Sequence, residues 1–525
     1  MKSEVTKAAG IVSGATFLSR ILGFIRDMAI AGFFGAGMAA DAFFVAFRIP
    51  NLLRRLFAEG SLTIAFIPVF TEYLQKDGEA AAFQMARSAF RLISLILASA
   101  AVMGILLAPV IVRVMAPGFI LTPEKLSLTI GLTRFMFPYI FFIGLVALCM
   151  GILNAMGHFA APALAPVFLN LSMIVAVLFI SPLLHNPVYG LAIGVLLGGI
   201  LQLALQIPFL IQSGVFFWQA ASLFHPGLKR VGILMLPAVF GAAVYQVNIL
   251  VGTLLASLLP QGSVSYLYYA DRLVQFPLGI FAIAAATAVL PSFSKYAANK
   301  DKAALNETFG YAMRLVSFIT IPAMVGLILL REPIVGLLFQ RGAFDARATS
   351  MTAQALLYYG LGLWAFSAVR IVVSLFYALQ DTRTPVKMAA ISIAVNIVLG
   401  ATLMWPMKHG GLALATSVAS MVNLALLISV LSKTVGLLHW DKIRNSLFKT
   451  VVCAVAMGIV VFLATRWALP ANPATFQQLF IGVSISILLG IGTYTACALF
   501  VQCPEIYELI HMLKDRRIAN EERSP

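Results

Sequence analysis

Charged residues are scarce in this sequence, because Asp, Glu, Lys and Arg together supply only 11% of its 525 residues. Hydrophobic residues supply 61%, and the mean hydropathy is +0.97. A soluble globular protein usually contains about 25% charged residues, most of them on its surface. The composition therefore excludes a water-soluble globule and predicts an all-α polytopic membrane protein.

Metal-binding and redox patterns are also missing from the sequence. The four cysteines form no CxxC or Cys/His spacing, and they are interpreted as small hydrophobic core residues. They are Cys149, Cys453, Cys497 and Cys503. The six histidines lie in or near connections, without the spacing of a zinc site. We therefore predict no metal, no cofactor and no disulfide framework.

Signatures of enzymes and of nucleic-acid binding are equally lacking. No GxxxxGK[ST] loop is present, and Gly-rich runs such as IGVLLGGI are typical of close helix packing. The short connections contain no DxD or paired histidines, which a membrane glycosyltransferase or phosphotransferase would need. The formal net charge of +16 is dispersed between apolar segments, so anionic lipid headgroups are a better partner than nucleic acid.

Apolar runs about 20 residues long, which is the length that crosses a bilayer, recur along the whole chain. They predict about 14 transmembrane spans, numbered 1 to 14: 9–34, 38–74, 87–112, 127–153, 161–182, 188–212, 228–257, 264–295, 307–331, 350–379, 385–406, 410–435, 446–467 and 474–501.

The distribution of basic residues predicts the orientation of these spans. The N terminus and every second connection contain Lys or Arg, whereas the connections at 34–40, 181–188 and 259–264 contain none. Three arginines between 331 and 347 depart from this alternation. Because cytoplasmic connections collect basic residues, both termini are predicted to be cytoplasmic, and the number of spans is predicted to be even.

Short segments also recur at a nearly constant offset. FIPVFTEYLQKDG around Pro68 resembles VLPSFSKYAANKD around Pro291, at an offset of 223 residues. NAMGHFAAP and YALQDTRTP end at Pro162 and Pro385, again at an offset of 223. The repeat predicts two six-helix lobes with the same orientation, like transporters whose lobes alternate around a central site.

This repeat predicts four regions. They are an N-lobe at 1–222, a C-lobe at 223–440, two further helices at 441–504 and a basic cytoplasmic tail at 505–525.

Charged residues inside spans 1, 2 and 8 are the main functional signal. A charge at the bilayer centre costs about 2.5 to 3.5 kcal/mol on insertion scales, so such residues face a protein interior or a watery cavity. Positive charge predominates, which indicates an anionic ligand, and the planar guanidinium group is suited to a diphosphate. For any single residue, snorkelling to headgroups or pairing with a neighbour is an alternative. The residues are Arg20, Arg26, Asp27, Asp41, Arg48, Arg54, Arg55, Glu59, Asp271 and Arg272.

The geometry of spans 1 and 2 limits which charges share a face. Arg20 and Arg26 lie about 120° apart on an ideal helix, so both line one cleft only if it is broad or if the helix deforms. Asp41, Arg48 and Arg55 are spaced by seven residues and fall on one face. Pro50 interrupts that face and is expected to kink or break the helix.

Four motifs resemble the MurJ (MviN) family of lipid II flippases, within the superfamily that includes MATE exporters and polysaccharide flippases. They are SRILGFIRDMAIAGFFGAG, DAFFVAFRIPNLLRRLFAEG, AFIPVFTEYLQ and YYADRLVQFPLG. The resemblance extends over essentially the whole chain. It implies a transporter of the bacterial cytoplasmic membrane that moves undecaprenyl-diphosphate-linked peptidoglycan precursor to the outer leaflet by alternating access.

The same resemblance implies roles for individual residues. The arginines of the family's cavity match Arg20, Arg26, Arg54 and Arg272, its cavity acids match Asp41 and Asp271, and Arg55 and Glu59 belong to the same motif as Arg54. Spans 13 and 14 would form a groove for the polyprenyl tail, and cell-wall synthesis enzymes are further partners. Two positions, Gln275 and Gly400, lack the carboxylate that would support ion coupling.

Two other transporter functions remain open at this stage. A flippase for another polyprenyl-linked glycan would need the same diphosphate site. A MATE-type exporter of cationic drugs should have an acidic cavity, which the excess of arginine disfavours. A purely structural scaffold would not need the intramembrane charges.

Overall fold

The computed structural model describes residues 2–55, 62–436, 440–469 and 475–508, and all regular secondary structure in these ranges is helical. The first α-helices are α1 (Lys2–Phe34), α2 (Met38–Leu53), α3 (Thr63–Lys76), α4 (Gly78–Met115), α5 (Pro123–Met136), α6 (Tyr139–Ala155), α7 (Ala160–Val175), α8 (Val188–Gln212) and α9 (Pro226–Ser257). The others are α10 (Ser263–Pro277), α11 (Ile283–Ala298), α12 (Lys302–Leu329), α13 (Arg331–Phe339), α14 (Ala346–Gly360), α15 (Leu363–Ala378), α16 (Arg383–Met407), α17 (His409–Val435), α18 (Trp440–Ala468) and α19 (Phe476–Phe500).

The helical membrane architecture predicted from composition is confirmed. In the described residues, 10 helices are long and apolar enough to cross a membrane, and the pair α14 and α15, bent by 42°, gives an eleventh. Predicted spans 1, 2 and 7 are not among them. The number 14 therefore stays a prediction.

The first two predicted spans show what charge and proline do to an apolar run. Span 1 forms the 33-residue helix α1, which carries two arginines and an aspartate in its apolar part. Span 2 is divided into α2 and α3. Helix α2 continues through Pro50 and ends at Leu53, and residues 54 and 55 then form a π-helical turn. Proline lacks a backbone N–H donor and its ring clashes with the preceding turn, which explains why α2 ends soon after Pro50.

The chain divides into two compact units. The first comprises 1–265 and 341–345, and the second comprises 266–340 and 346–525. The boundary falls within α10, whose first residues, 263–265, belong to the first unit. The lobes predicted at 1–222 and 223–440 rest on the sequence repeat and stay a prediction.

Each unit has its own apolar core. In the first, Phe66 and Phe70 of α3 pack with Met85 of α4 and Leu148 of α6. In the second, one cluster joins α11, α12, α15 and α17, and another joins α12 to α18 and α19. In that last cluster the Tyr494 hydroxyl donates to the carbonyl of Phe318 at 2.7 Å, which attaches α19 to α12.

A segment between α13 and α14 packs on the end of α1 within the first unit. The Ala343 amide donates to the Gly32 carbonyl at 2.9 Å. Gly35 and Gly342 both have positive φ, +64° and +55°, and an added Cβ on either would collide with a backbone carbonyl across this contact. Only glycine allows the two backbones to approach so closely.

We expect Gly35→Ala to lower the stability of the first unit by about 2 kcal/mol, because it combines a strained φ with a clash against the Ala343 carbonyl. The measurement is the melting temperature of the purified protein in detergent. Gly14→Ala on the same helix is the control, since no atom lies within 4 Å of its added Cβ. Equal melting temperatures for the two variants would contradict the interpretation.

Candidate functional site

Arg26 of α1 forms a buried ion pair with its neighbour Asp27. The Nη2 to Oδ1 distance is 2.7 Å, and Nε also donates to Oδ1 at 3.0 Å. Arg26 is 8% exposed and Asp27 is 2% exposed. The charge of this arginine is therefore balanced locally by a carboxylate.

Helix α7 supplies a further partner for this pair. Arg26 Nη1 donates to Asn170 Oδ1 at 3.0 Å, and the Asn170 amide donates to the carbonyl of Ser19 at 2.9 Å. Ser19, Gly23 and Arg26 follow at helical spacing on the face of α1 that packs on α7. An added Cβ at Gly23 would lie 3.5 Å from the Asn170 amide nitrogen, which is an ordinary van der Waals contact. Asn170 thus joins α7 to α1 through hydrogen bonds.

Arg20 has a different environment from Arg26. It lies on an exposed stretch of α1, beside the exposed apolar residues Phe17, Leu18 and Ile21. The structure thus places one of the two α1 arginines in the interior and the other at the surface. This separation follows from the angle of about 120° between them on a regular helix.

Asp41 of α2 lies at the centre of a buried hydrogen-bond cluster. It is 1% exposed, and its Oδ2 accepts from Lys125 Nζ at 2.7 Å and from the Gly262 amide at 2.8 Å. Its Oδ1 accepts from the Ser265 amide at 2.9 Å and from the Ser265 hydroxyl at 2.6 Å. The carboxylate joins α2 to α5 and to the first turn of α10, where a negative charge is favourable.

Two further arginines on α2 and just after it have polar protein partners. Arg48 donates to the Thr253 hydroxyl of α9. Arg54 Nε donates to Asn51 Oδ1 at 2.9 Å, within its own helical turn. Arg54 and Arg55 are half-buried, and Glu59 lies outside the described residues.

In the second unit, Asp271 and Arg272 are half-buried on α10. The Arg272 guanidinium lies over the Tyr268 ring, 4.8 Å from its centroid, and Nη2 donates to the Tyr268 hydroxyl at 3.0 Å. Asp271 Oδ1 accepts from Gln275 at a long 3.4 Å. The ring and the hydroxyl of Tyr268 hold the guanidinium in place.

Among the described site candidates of the first unit and their partners, cationic side chains outnumber carboxylates. The described carboxylates are Asp27, which pairs with Arg26, and Asp41, which pairs with Lys125, whereas Glu59 lies outside the described residues. The cationic side chains are Arg20, Arg26, Arg48, Arg54, Arg55 and Lys125. An excess of positive charge in an apolar environment favours an anionic ligand. No group of three or more His, Cys, Asp or Glu that could hold a metal occurs in the described part of the chain.

Comparison with known proteins identifies the family. The family sequence profile described as lipid II flippase MurJ matches residues 30–479. A relative from Vibrio cholerae named probable lipid II flippase MurJ is 37% identical over 515 residues, which is 95% of this chain and 97% of the relative.

The chain belongs to the lipid II flippase MurJ family.

Other relatives agree with this membership. A MurJ lipid II flippase from Burkholderia cenocepacia is 38% identical over 80% of this chain and 83% of the relative. A solved structure of lipid II flippase MurJ in an inward closed conformation has a TM-score of 0.79 and 29% identity, covering 94% of this chain and 98% of that one. An inward-facing MATE transporter has a TM-score of 0.66 at 16% identity, over 81% of this chain and 99% of that one, which shows a shared fold.

Within this MurJ family member, the sequence did not reveal two partners of the predicted site residues. Lys125 is 6% exposed in the first turn of α5, although the sequence PEKLSLT resembles an ordinary exposed helix start. Thr253 is buried on α9 and meets Arg48. The only available signal for Lys125 was a lone cation between apolar segments, which is normally a surface residue.

Proposed function

We propose that this protein is the lipid II flippase of a bacterial cytoplasmic membrane. It moves the undecaprenyl-diphosphate-linked peptidoglycan precursor from the inner to the outer leaflet by alternating access, and it is a transporter with no catalytic step. The observation that carries the proposal is 37% identity along nearly the full length of a relative with that name. The MATE-type alternative rests on chains at 15–17% identity, which share only the fold.

Arginine side chains are the proposed ligands of the diphosphate. Arg272, stacked on Tyr268, presents a guanidinium group whose position is fixed by the ring and the hydroxyl. Arg20, Arg26, Arg54 and Arg55 are the proposed ligands in the first unit. A diphosphate accepts paired hydrogen bonds from the planar guanidinium group, and such charge-assisted bonds are the strong ones.

Asp27 and Asp41 have a different proposed role from the arginines. The described partners of both carboxylates are protein groups, and both acids are almost fully buried. We infer that they hold helices in place around the cationic residues. The cytoplasmic position of both termini, predicted from the basic connections, belongs to the same proposal.

The experiment measures lipid II in the outer leaflet of cells whose own flippase is depleted, with an externally added enzyme that cleaves exposed lipid II. Wild-type protein should restore cleavage. Arg272→Gln and Arg54→Gln should reduce it about tenfold or more, because each removes a charge-assisted hydrogen bond worth about 1.5 to 3 kcal/mol.

Arg113→Gln is the matched control, since Arg113 is an exposed arginine in the last turn of α4. It should restore cleavage like the wild type. Outer-leaflet lipid II that does not change on depletion or complementation would overturn the proposed function. Normal cleavage with both site variants at equal expression would overturn only the role of the arginines.

A further inference from the structure

The chain that follows α19 is attached to two other helices through a buried carboxylate. Glu505 is 0% exposed, and its Oε1 accepts from the Ser446 hydroxyl of α18 at 2.8 Å. The same oxygen lies 3.3 Å from Arg314 Nη1 of α12. Residues 504–508 thus form a short helical turn that is held against α12 and α18.

A lysine strengthens the same attachment. Lys449 Nζ of α18 donates to the carbonyl oxygens of Val501 at 3.0 Å and Gln502 at 3.1 Å. A cation on the last carbonyls of a helix is favourable, because these groups lack partners within the helix. The Lys449 ammonium group is therefore bound to backbone oxygens of the two residues that follow α19.

Glu508 is a second carboxylate on the same helical turn as Glu505. It follows Glu505 by three residues on a helical turn, so the two side chains share a face. Within the described part of the chain, Oε2 of Glu505 and Oε2 of Glu508 are both buried without a hydrogen-bond partner. Arg314 thus contacts Glu505, and two buried carboxylate oxygens at this turn lack a donor.

Among the described residues, two cations lie close to this turn. Arg314 contacts Glu505, and Lys449 donates to backbone carbonyl oxygens. The other titratable groups packed near the pair are Tyr311 of α12, Cys453 of α18, Tyr494 of α19 and Cys503. Burial raises the pKa of Glu508, and the charge of Glu505 raises it further against the opposing effect of Arg314.

We propose that Glu508 is a proton-binding group beside the Glu505–Arg314 ion pair. Glu505 is fully buried and Oε2 of Glu508 is buried as well, so a second negative charge at this turn is unfavourable and the protonated form of Glu508 is favoured. The proton supplies the missing donor to the buried acceptor oxygens. It leaves a net charge of about zero when Arg314 is counted.

The consequence is a pH-dependent attachment of α18 and α19 to α12. When the proton is present, the turn at 504–508 is bound to both helices. When the proton is lost, a second negative charge lies beside the Glu505–Arg314 ion pair and the attachment weakens. This inference concerns the protein's own structure and does not depend on the transported lipid.

The test compares the melting temperatures of full-length wild type and Glu508→Gln in detergent between about pH 5 and pH 8.5. Glutamine imitates the protonated acid. A carboxyl group whose pKa is raised by folding stabilises the folded state at low pH, and this stabilisation is lost as the pH rises through the raised pKa. The variant should therefore melt about 2 to 4 °C above the wild type at the highest pH and at the same temperature as the wild type at the lowest pH.

Glu307→Gln is the control, because Glu307 is an exposed carboxylate on α12. It should show a difference from wild type that does not depend on pH. As the pH is lowered across this range, the infrared band of a protonated carboxyl group should appear at a higher pH in wild type and Glu307→Gln than in Glu508→Gln.

Two results would overturn the proposal. One is a difference between wild type and Glu508→Gln that is the same at every pH, with a protonated carboxyl band that appears at the same pH in both proteins. The other is stabilisation of the wild type by sodium chloride but not by choline chloride at equal ionic strength, which would assign the site to a metal cation. Neither result bears on lipid II transport, so the two proposals fail separately.

Discussion

Asp41→Ala is expected to destabilise the first unit by about 3 to 5 kcal/mol, which is the usual cost of removing one partner of a buried ion pair. The substitution leaves Lys125 charged and buried, and it removes the acceptor of two backbone amides and one hydroxyl. The measurement is the melting temperature of the purified protein together with its expression in membranes. Both should fall strongly.

A double variant separates the structural role of Asp41 from a role in substrate binding. Asp41→Asn with Lys125→Met removes both charges and keeps an oxygen that accepts from the Ser265 amide. It should recover most of the stability that Asp41→Asn alone loses. If Asp41 instead bound substrate directly, Asp41→Asn would melt like the wild type and lose only transport.

Arg26→Ala is expected to reduce transport about 10- to 100-fold and to lower stability, because it removes a proposed ligand and leaves the Asp27 carboxylate buried without its Arg26 ion pair. Charge-assisted hydrogen bonds contribute about 1.5 to 3 kcal/mol each, so loss of one from a bound diphosphate reduces its affinity about 10- to 100-fold. The measurement is outer-leaflet lipid II in depleted cells, alongside the melting temperature.

The neutral pair Arg26→Gln with Asp27→Asn keeps similar volume and hydrogen-bonding capacity without either charge. It should melt within a few degrees of the wild type, because replacing both partners of a buried pair is often nearly neutral. Transport should remain at least about tenfold reduced. Wild-type transport by this neutral pair would assign Arg26 to structure alone.

These two predictions differ because the structure gives the two acids different surroundings. In the sequence, Asp41 looked like a cavity acid on one face with Arg48 and Arg55. In the structure its carboxylate accepts hydrogen bonds from Lys125 and from the start of α10, which are both distant from it in the chain. Helical periodicity identifies a face, but it does not identify which helix covers that face.

Much of the architecture could be predicted without coordinates. Apolar runs of bilayer length and their turn residues predicted the helices, because unsatisfied backbone groups are too costly in lipid for other structures. The motif around Pro50 predicted a helix interruption, and α2 ends three residues later. The charges of span 1 could be recognised as functional candidates because charge in an apolar helix is expensive.

The excess of arginine in the first two predicted spans depends partly on the sequence and partly on the tertiary structure. Sequence alone determined that cationic residues outnumber acids in spans 1 and 2, because the sequence specifies the charge of each side chain and its position along a helix. The tertiary structure alone decided that Arg26 is paired with Asp27 and Asn170, that Arg20 is exposed, and that Lys125 meets Asp41. The physical reason is that burial and hydrogen bonding depend on contacts between residues up to 224 positions apart, which no local pattern encodes.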